Sequence, residues 1–225
     1  SPFKRAYETY NTKRGYFYTQ KRNYEKALQY SDSSLLLLNE HKNAPEYKLW
    51  YAQALSLKAD DLHALKRYSE AFTYYFLARE AVYQSGDTCL FADYSTKLGM
   101  VSYQHKQYKE AVSYFKQAAA QRMACPNEKN INNASLQFAY HQNILDNIGI
   151  CFSRLGMPDS AIYYFDSALH YIDLNHHKSF KYDKNNNRQN DTDFVQSAKG
   201  VIYGNMATDY QAKNNDSLAE QLLKT

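Results

Sequence analysis

Small residues recur at a fixed spacing along the whole chain. Five alanines mark the repeat, and we call them the anchors: Ala27, Ala71, Ala111, Ala161 and Ala219. Twelve residues before each anchor stands another small residue, in chain order Gly15, Ala59, Gly99, Gly149 and Ala207. Because small side chains allow two helix backbones to approach closely, this spacing predicts a series of helix-turn-helix units.

Aromatic residues follow the three middle anchors at a constant distance. Four residues after these anchors stand Tyr75, Phe115 and Phe165. Three residues further on stand more alanines, Ala78, Ala118 and Ala168. The pattern indicates that each aromatic ring fills the space between two helices, and we expect Phe115 and Phe165 to be buried.

Two copies of this pattern resemble tetratricopeptide repeats. The third copy carries the family residues Leu98, Gly99, Tyr108, Ala111, Phe115 and Ala118, and the fourth carries segment 148–152 followed by Ala161, Phe165 and Ala168. Elsewhere the chain departs from the family pattern, because Ser31 replaces an aromatic residue, Lys58 replaces an aliphatic one, and the closing proline is missing. The resemblance implies an all-α fold, an α-solenoid of about five antiparallel helix pairs wound into a right-handed superhelix.

The domain organisation follows from the anchor spacing. We expect a single solenoid domain over residues 1–225, with repeats near 8–40, 44–84, 92–123, 132–172 and 194–225. The ten predicted helices span 2–21, 23–40, 44–66, 68–84, 88–106, 108–123, 131–155, 158–172, 194–213 and 216 onward. Gly86 and Gly156 stand where a left-handed helix stop is needed. The chain starts without methionine and reaches Thr225 inside a predicted helix, which suggests an excerpt of a longer protein.

The anchors lie 44, 40, 50 and 58 residues apart, against about 34 for the plain repeat. The surplus requires longer helices or inserted loops. Segment 176–193 is rich in lysine and asparagine and has no apolar period, which predicts a polar loop insertion there.

Composition restricts the classes of partner. The 27 basic residues are interspersed with 23 acidic ones and the net charge is only +4, so no phosphate-tracking face and no nucleic-acid partner are predicted. No apolar run approaches membrane-spanning length, so we expect no direct membrane insertion within this segment. The 23 tyrosines suit positions that reach from a helix interface to the surface.

Catalytic motifs are absent from the sequence. It contains no phosphate-binding loop, no dinucleotide glycine fingerprint, no His-Glu-x-x-His and no Cys-x-x-Cys. Cys151 falls where the repeat requires packing, which favours a buried core residue over a nucleophile. We therefore predict no catalytic residue, no metal site and no cofactor for this domain, while the full-length protein could carry an enzymatic module.

Binding in repeats of this kind uses the concave face, which the first helix of each pair lines. The repeat register places eleven candidate partner-binding residues there: Thr12, Tyr16, Gln20, Asp60, His63, Thr96, Met100, Tyr103, Asp146, Ile150 and Arg154. This mixed, mildly polar lining predicts a protein or peptide partner. The carboxylate clamp that family members use for chaperone tails is missing, because its positions hold Thr12, Tyr16, Leu57 and Lys97.

Two functional settings remain open. The Tyr/Asn/Lys/Ser-rich repeats resemble the extracytoplasmic repeat regions of bacterial sensor histidine kinases. That resemblance implies a sensor or scaffolding region on the extracytoplasmic (periplasmic) face of a membrane-anchored signal-transduction protein. The alternative is a free-standing cytoplasmic adaptor that assembles protein complexes. The flanking gene sequence distinguishes them.

Two cysteines bear on that choice. Cys89 opens the first helix of the third pair and Cys125 follows the second, so an antiparallel hairpin brings both to one end. A disulfide between them is geometrically feasible and would favour the extracytoplasmic setting. Two unrelated loop cysteines in a reducing cytoplasm are the alternative.

Overall fold

The computed structural model describes residues 7, 15–43, 47–83, 86–125, 131–179 and 188–224, with residues 131–138, 177–179 and 188–191 as backbone only. Over these residues the secondary structure is helical, without strands, which confirms the predicted all-α class. We number the ten helices of this part of the chain in order: α1 Tyr16–Gln20, α2 Tyr24–Asn39, α3 Tyr47–Ala64, α4 Tyr68–Tyr83, α5 Thr88–Gln104, α6 Tyr108–Ala124, α7 Ile131–Arg154, α8 Pro158–Ser179, α9 Arg188–Ala212 and α10 Asp216–Leu223.

The helix bounds follow the predicted ones closely except around the predicted loop 176–193. Helix α8 continues to Ser179 and α9 begins at Arg188, while residues 180–187 lie outside the described part. Polar side chains near the end of α8 form hydrogen bonds with the backbone of the preceding turn, and the helix continues past them. The Asn175 amide donates to the Tyr171 carbonyl at 2.9 Å, and the His176 ring bonds the Ile172 carbonyl at 2.9 Å. Most of the predicted helix 2–21 also lies outside the described residues.

The chain forms two compact units, Ser1–Gln107 and Tyr108–Thr225, which are described separately below. Their boundary falls inside the predicted third repeat, 92–123. Whether the repeats form one continuous domain therefore stays a prediction.

The turns between α1 and α2, α3 and α4, α5 and α6, α7 and α8, and α9 and α10 share one hydrogen-bond pattern. Five residues before every anchor the backbone is left-handed, with φ between 55° and 70°, at Arg22, Lys66, Lys106, Gly156 and Asn214. The next residue's N–H bonds to the carbonyl five positions earlier, as from Asn23 to Tyr18 at 3.0 Å. This is the Schellman helix stop. Five identical turns confirm the anchor register, and Gly86 (φ 75°) and Gly156 (φ 70°) are left-handed as predicted.

Packing within the repeats explains the fixed spacing. All five anchors have no exposed surface, and Phe115 and Phe165 are buried as predicted. A Cβ placed on Gly149 would lie 2.5–2.9 Å from three ring carbons of Phe165. The ring therefore occupies the space that the glycine leaves open. Burial of each phenylalanine contributes roughly 1.5–3 kcal/mol.

A half-buried tyrosine stands three residues after each of the first four anchors: Tyr30, Tyr74, Tyr114 and Tyr164. For three of them, Tyr30, Tyr74 and Tyr164, a lysine lies over the ring or over the ring stacked on it. Lys58 Nζ is 4.2 Å from the centre of the Tyr74 ring, and Lys116 Nζ is 5.5 Å from the centre of the Tyr164 ring. Such contacts stabilise the helix surface through the negative ring face, so Tyr30, Tyr74 and Tyr164 have a structural role.

Candidate binding face

First helices of neighbouring pairs are joined by hydroxyl–carboxylate hydrogen bonds. In the first unit the Thr19 hydroxyl of α1 donates to Asp61 Oδ1 of α3 at 2.7 Å. In the second unit the Ser153 hydroxyl of α7 donates to Asp209 Oδ2 of α9. Both hydroxyls stand eight residues before an anchor, and both aspartates stand ten residues before the next anchor. The two hydrogen bonds therefore join equivalent positions of the repeat.

Asp60 binds two neighbouring helices of the first unit. Its Oδ1 accepts a hydrogen bond from the Tyr75 hydroxyl of α4 at 2.5 Å and another from Lys97 Nζ of α5. The side chains of Lys97 and Asp60 are only 31% and 36% exposed. Charge-assisted hydrogen bonds of this kind are roughly twice as strong as neutral ones. Asp60 and Lys97 neutralise each other, so Lys97 offers little net attraction to a partner's carboxylate.

Two predicted residues of the second unit point inward. Asp146 is buried, and its Oδ1 accepts a hydrogen bond from the Asn205 amide of α9 at 3.0 Å. Burial raises the pKa of Asp146, while the Asn205 bond opposes the shift. Ile150 is half-buried and packs against the core around Phe165. Both side chains therefore contribute to packing in the second unit, and their contact with a partner stays a prediction.

The side chains of the other candidate residues are exposed to solvent to different degrees. Tyr16 is 55% exposed and Met100 is 45% exposed, and Gln20 and Arg154 are also exposed. Three are half-buried: His63, Thr96 and Tyr103. The Thr96 hydroxyl donates to the Ala92 carbonyl at 2.9 Å. Thr12 lies outside the described residues, and partner binding by this set stays a prediction.

His63 is held in the neutral form. Burial lowers its pKa, and the nearby Lys97 charge acts in the same direction against Asp60. Its ring centre lies 5.3 Å from that of Tyr68. Its Nε2 atom is buried and forms no hydrogen bond with the described part of the chain. At neutral pH His63 therefore contributes an aromatic surface and no charge.

Apart from the candidate binding residues, the described part of the chain has three cysteines, but no metal-binding cluster and no helix able to span a membrane. The described ranges contain no group of three or more His, Cys, Asp or Glu residues able to hold a metal ion. Cys151 is buried and free, and burial raises its thiol pKa to about 12. It therefore stays a protonated thiol at neutral pH. Cys89 and Cys125 are disulfide-bonded. None of the helices in the described part of the chain combines the length and apolar character needed to cross a membrane.

Sequence reasoning missed the residues that link the first helices. Thr19, Asp61, Ser153 and Asp209 did not appear among the candidates, although a signal was present. A hydroxyl residue eight positions before one anchor is followed by an aspartate ten positions before the next anchor in both cases. Polar pairs that recur in register across repeats indicate contacts between neighbouring first helices.

Solved structures with similar folds are tetratricopeptide-type proteins. BtubC (BKLC) from P. vanneervenii matches with a TM-score of 0.70 and 15% identity, over 93% of this chain and 74% of that one. Pseudomonas aeruginosa pilF matches with a TM-score of 0.61 and 17% identity, over 100% and 78%. YrrB, described as a TPR protein with an unusual peptide-binding site, matches with a TM-score of 0.59 and 18% identity, over 100% and 90%.

No protein-family model matches the sequence, and the comparison with curated proteins finds no match. At these identities the structural likeness establishes the fold alone. The chain has a tetratricopeptide-type fold of consecutive helix pairs.

Proposed function

We propose that this chain is a non-catalytic domain that binds a protein or peptide on the face formed by its first helices. The observation that carries the proposal is the exposure of Tyr16 and Met100 beside the interhelix links of the first unit. Large apolar side chains at 55% and 45% exposure leave contact area that a partner can cover.

Register places these two side chains near the same links. Tyr16 precedes Thr19 by three residues on α1, and Met100 follows Lys97 by three residues on α5. Residues three apart lie on the same side of a helix. Since Thr19 binds α3 through Asp61 and Lys97 binds α3 through Asp60, Tyr16 and Met100 flank α3 from its two neighbours. Methionine and tyrosine adapt to varied peptide surfaces, which supports a peptide or protein partner.

A displayed library of random peptides tests the proposal. We expect selected peptides to bind the purified chain, with affinities measured by fluorescence anisotropy. The double variant Tyr16→Ser/Met100→Ser should weaken binding at least about 10-fold, as loss of two contacts worth roughly 1 kcal/mol each implies. Circular dichroism should show unchanged helical content.

A matched variant on the second helices controls for general loss of apolar surface. Leu36 on α2 and Tyr83 on α4 are 68% and 70% exposed, and Leu36→Ser/Tyr83→Ser should bind the peptides like the unmodified chain. Binding that depends on Leu36 and Tyr83 instead would place the partner on the second helices. Failure to select any peptide would argue against peptide binding.

We further propose that this domain is the sensor or scaffolding region of a bacterial signal-transduction protein, such as a histidine kinase, on its extracytoplasmic side. The compositional resemblance supports this setting, and so does the disulfide bonding of Cys89 and Cys125, because disulfides persist in oxidising compartments. The full gene tests it. A signal sequence upstream with a membrane helix and kinase module downstream is the expected result, and a complete gene without these segments would favour the cytoplasmic adaptor.

A further inference from the structure

The Asp61 carboxyl is buried between α1 and α3 with an unsatisfied oxygen. Asp61 has no exposed surface. Its Oδ1 accepts the Thr19 hydroxyl at 2.7 Å, whereas its Oδ2 is buried and has no hydrogen-bond partner among the described residues. A buried carboxylate needs several donors to replace the water it has lost. With one donor, the ionised form is poorly compensated.

The Thr19 hydroxyl has one proton and two acceptors within reach. Its oxygen lies 2.7 Å from Asp61 Oδ1 and 3.2 Å from the Gly15 carbonyl oxygen. When Asp61 is ionised, the hydroxyl can donate to only one of them. When Oδ1 carries a proton, Asp61 donates to Thr19 and Thr19 donates to Gly15, so the three groups form a continuous chain of hydrogen bonds.

We propose that Asp61 is a proton switch: its protonated form fastens α1 to α3 through Thr19, and its ionised form loosens α1. The switch connects helices on the candidate binding face. It is nevertheless a property of the folded chain and holds whether or not that face binds a partner.

Burial, together with the Asp60 charge, favours the protonated form of Asp61. Burial raises the pKa of Asp61 to about 6, the neighbouring Asp60 acts in the same direction, and the Thr19 bond opposes them. Two groups from other helices face Asp60 and Asp61. They are Tyr75 from α4 and Lys97 from α5, and both are bound to Asp60. The Lys97 charge is therefore engaged by Asp60. His63, two residues along α3, is held neutral by burial.

The direction of the pH dependence follows from the raised pKa. Stability from the protonated form is fully present below the unfolded pKa of about 3.9, and it is lost as pH rises through the folded value of about 6. Between pH 5 and pH 7 the equilibrium constant for docking α1 should fall about 10-fold.

Hydrogen exchange of segment 15–23, corrected for the intrinsic pH dependence of exchange, tests the switch on the full chain. We expect the protection of this segment to fall about 10-fold from pH 5 to pH 7 in the unmodified chain. In Asp61→Asn the protection should vary little with pH, because the amide donates to Thr19 at every pH. Thr19→Val should lower protection at pH 5 towards the value at pH 7.

Asp32→Asn is the matched control, because Asp32 is an exposed aspartate of the same unit that pairs with Lys58 at 2.5 Å. It should keep the pH dependence of the unmodified chain. An equal pH dependence in Asp61→Asn and the unmodified chain would overturn the proposal.

Direct titration of the Asp61 side-chain carboxyl by carbon-13 NMR decides the matter even where a variant fails to fold. We expect a midpoint near 6. A midpoint near the ordinary value of about 4 would refute the switch.

Discussion

Replacing Gly149 by alanine tests the close contact between α7 and α8. The new Cβ would lie 2.5, 2.6 and 2.9 Å from ring carbons of Phe165, whereas carbon atoms prefer about 3.5–4.0 Å. Phe165 is fully buried, so its ring cannot move into solvent. We therefore take the upper part of the usual overpacking cost, about 2–3 kcal/mol. Alanine regains about 1 kcal/mol of helix propensity over glycine, which leaves a net loss of about 1–2 kcal/mol.

Urea denaturation monitored by circular dichroism measures this loss. Gly200→Ala on α9 is the matched control, because apart from its chain neighbours and the backbone of its own helix no atom lies within 4 Å of the Cβ position there. It should stabilise the protein by about 0.5–1 kcal/mol through helix propensity alone. In Gly149→Ala/Phe165→Leu a smaller side chain replaces the ring, so the added methyl group should cost less free energy of unfolding than it does beside phenylalanine. If Gly149→Ala stabilised the protein as Gly200→Ala does, the close approach of ring and helix would be refuted.

Two further predictions concern the turns and the cysteines. A left-handed backbone costs a non-glycine residue about 1 kcal/mol. Lys106→Gly should therefore raise the free energy of unfolding by up to that amount, and Gly156→Ala should lower it. Equal urea midpoints for these variants and the unmodified chain would contradict the helix-stop assignment. Alkylation in denaturant without reductant, followed by mass spectrometry, should modify only Cys151, because Cys89 and Cys125 are disulfide-bonded; modification of all three would show that the bond is absent.

The fold was predictable because its main constraint is local and periodic. Gly149 and Phe165 stand 16 residues apart in the sequence, and their contact follows from the geometry of one helix pair. The polar segment around His176 was misjudged for a related reason. Its composition is unfavourable for a hydrophobic stripe, but its side chains bond to the backbone of the preceding turn, and composition alone does not reveal such bonds.

The candidate face was less predictable, because the hydrogen-bond partners of its side chains are distant in the sequence. Register placed Asp146 on a first helix correctly, but its partner Asn205 lies 59 residues away. Likewise, the bond from Lys97 to Asp60 joins residues 37 apart. A single sequence gives the side of a helix on which a residue lies, whereas the pairing partner depends on how neighbouring helix pairs pack.

The constancy of the Schellman turns has a consequence for where the chain can change in length. Anchors are separated by 40 to 58 residues, yet the left-handed residue stands five positions before the anchor in every pair. One residue inserted between these two points would rotate the second helix by about 100° relative to the turn and carry its alanine away from the partner helix. The turn thus fixes the rotational phase of each pair. Added residues between one pair and the next leave that phase unchanged, and such positions suit the insertion of a reporter or a protease site.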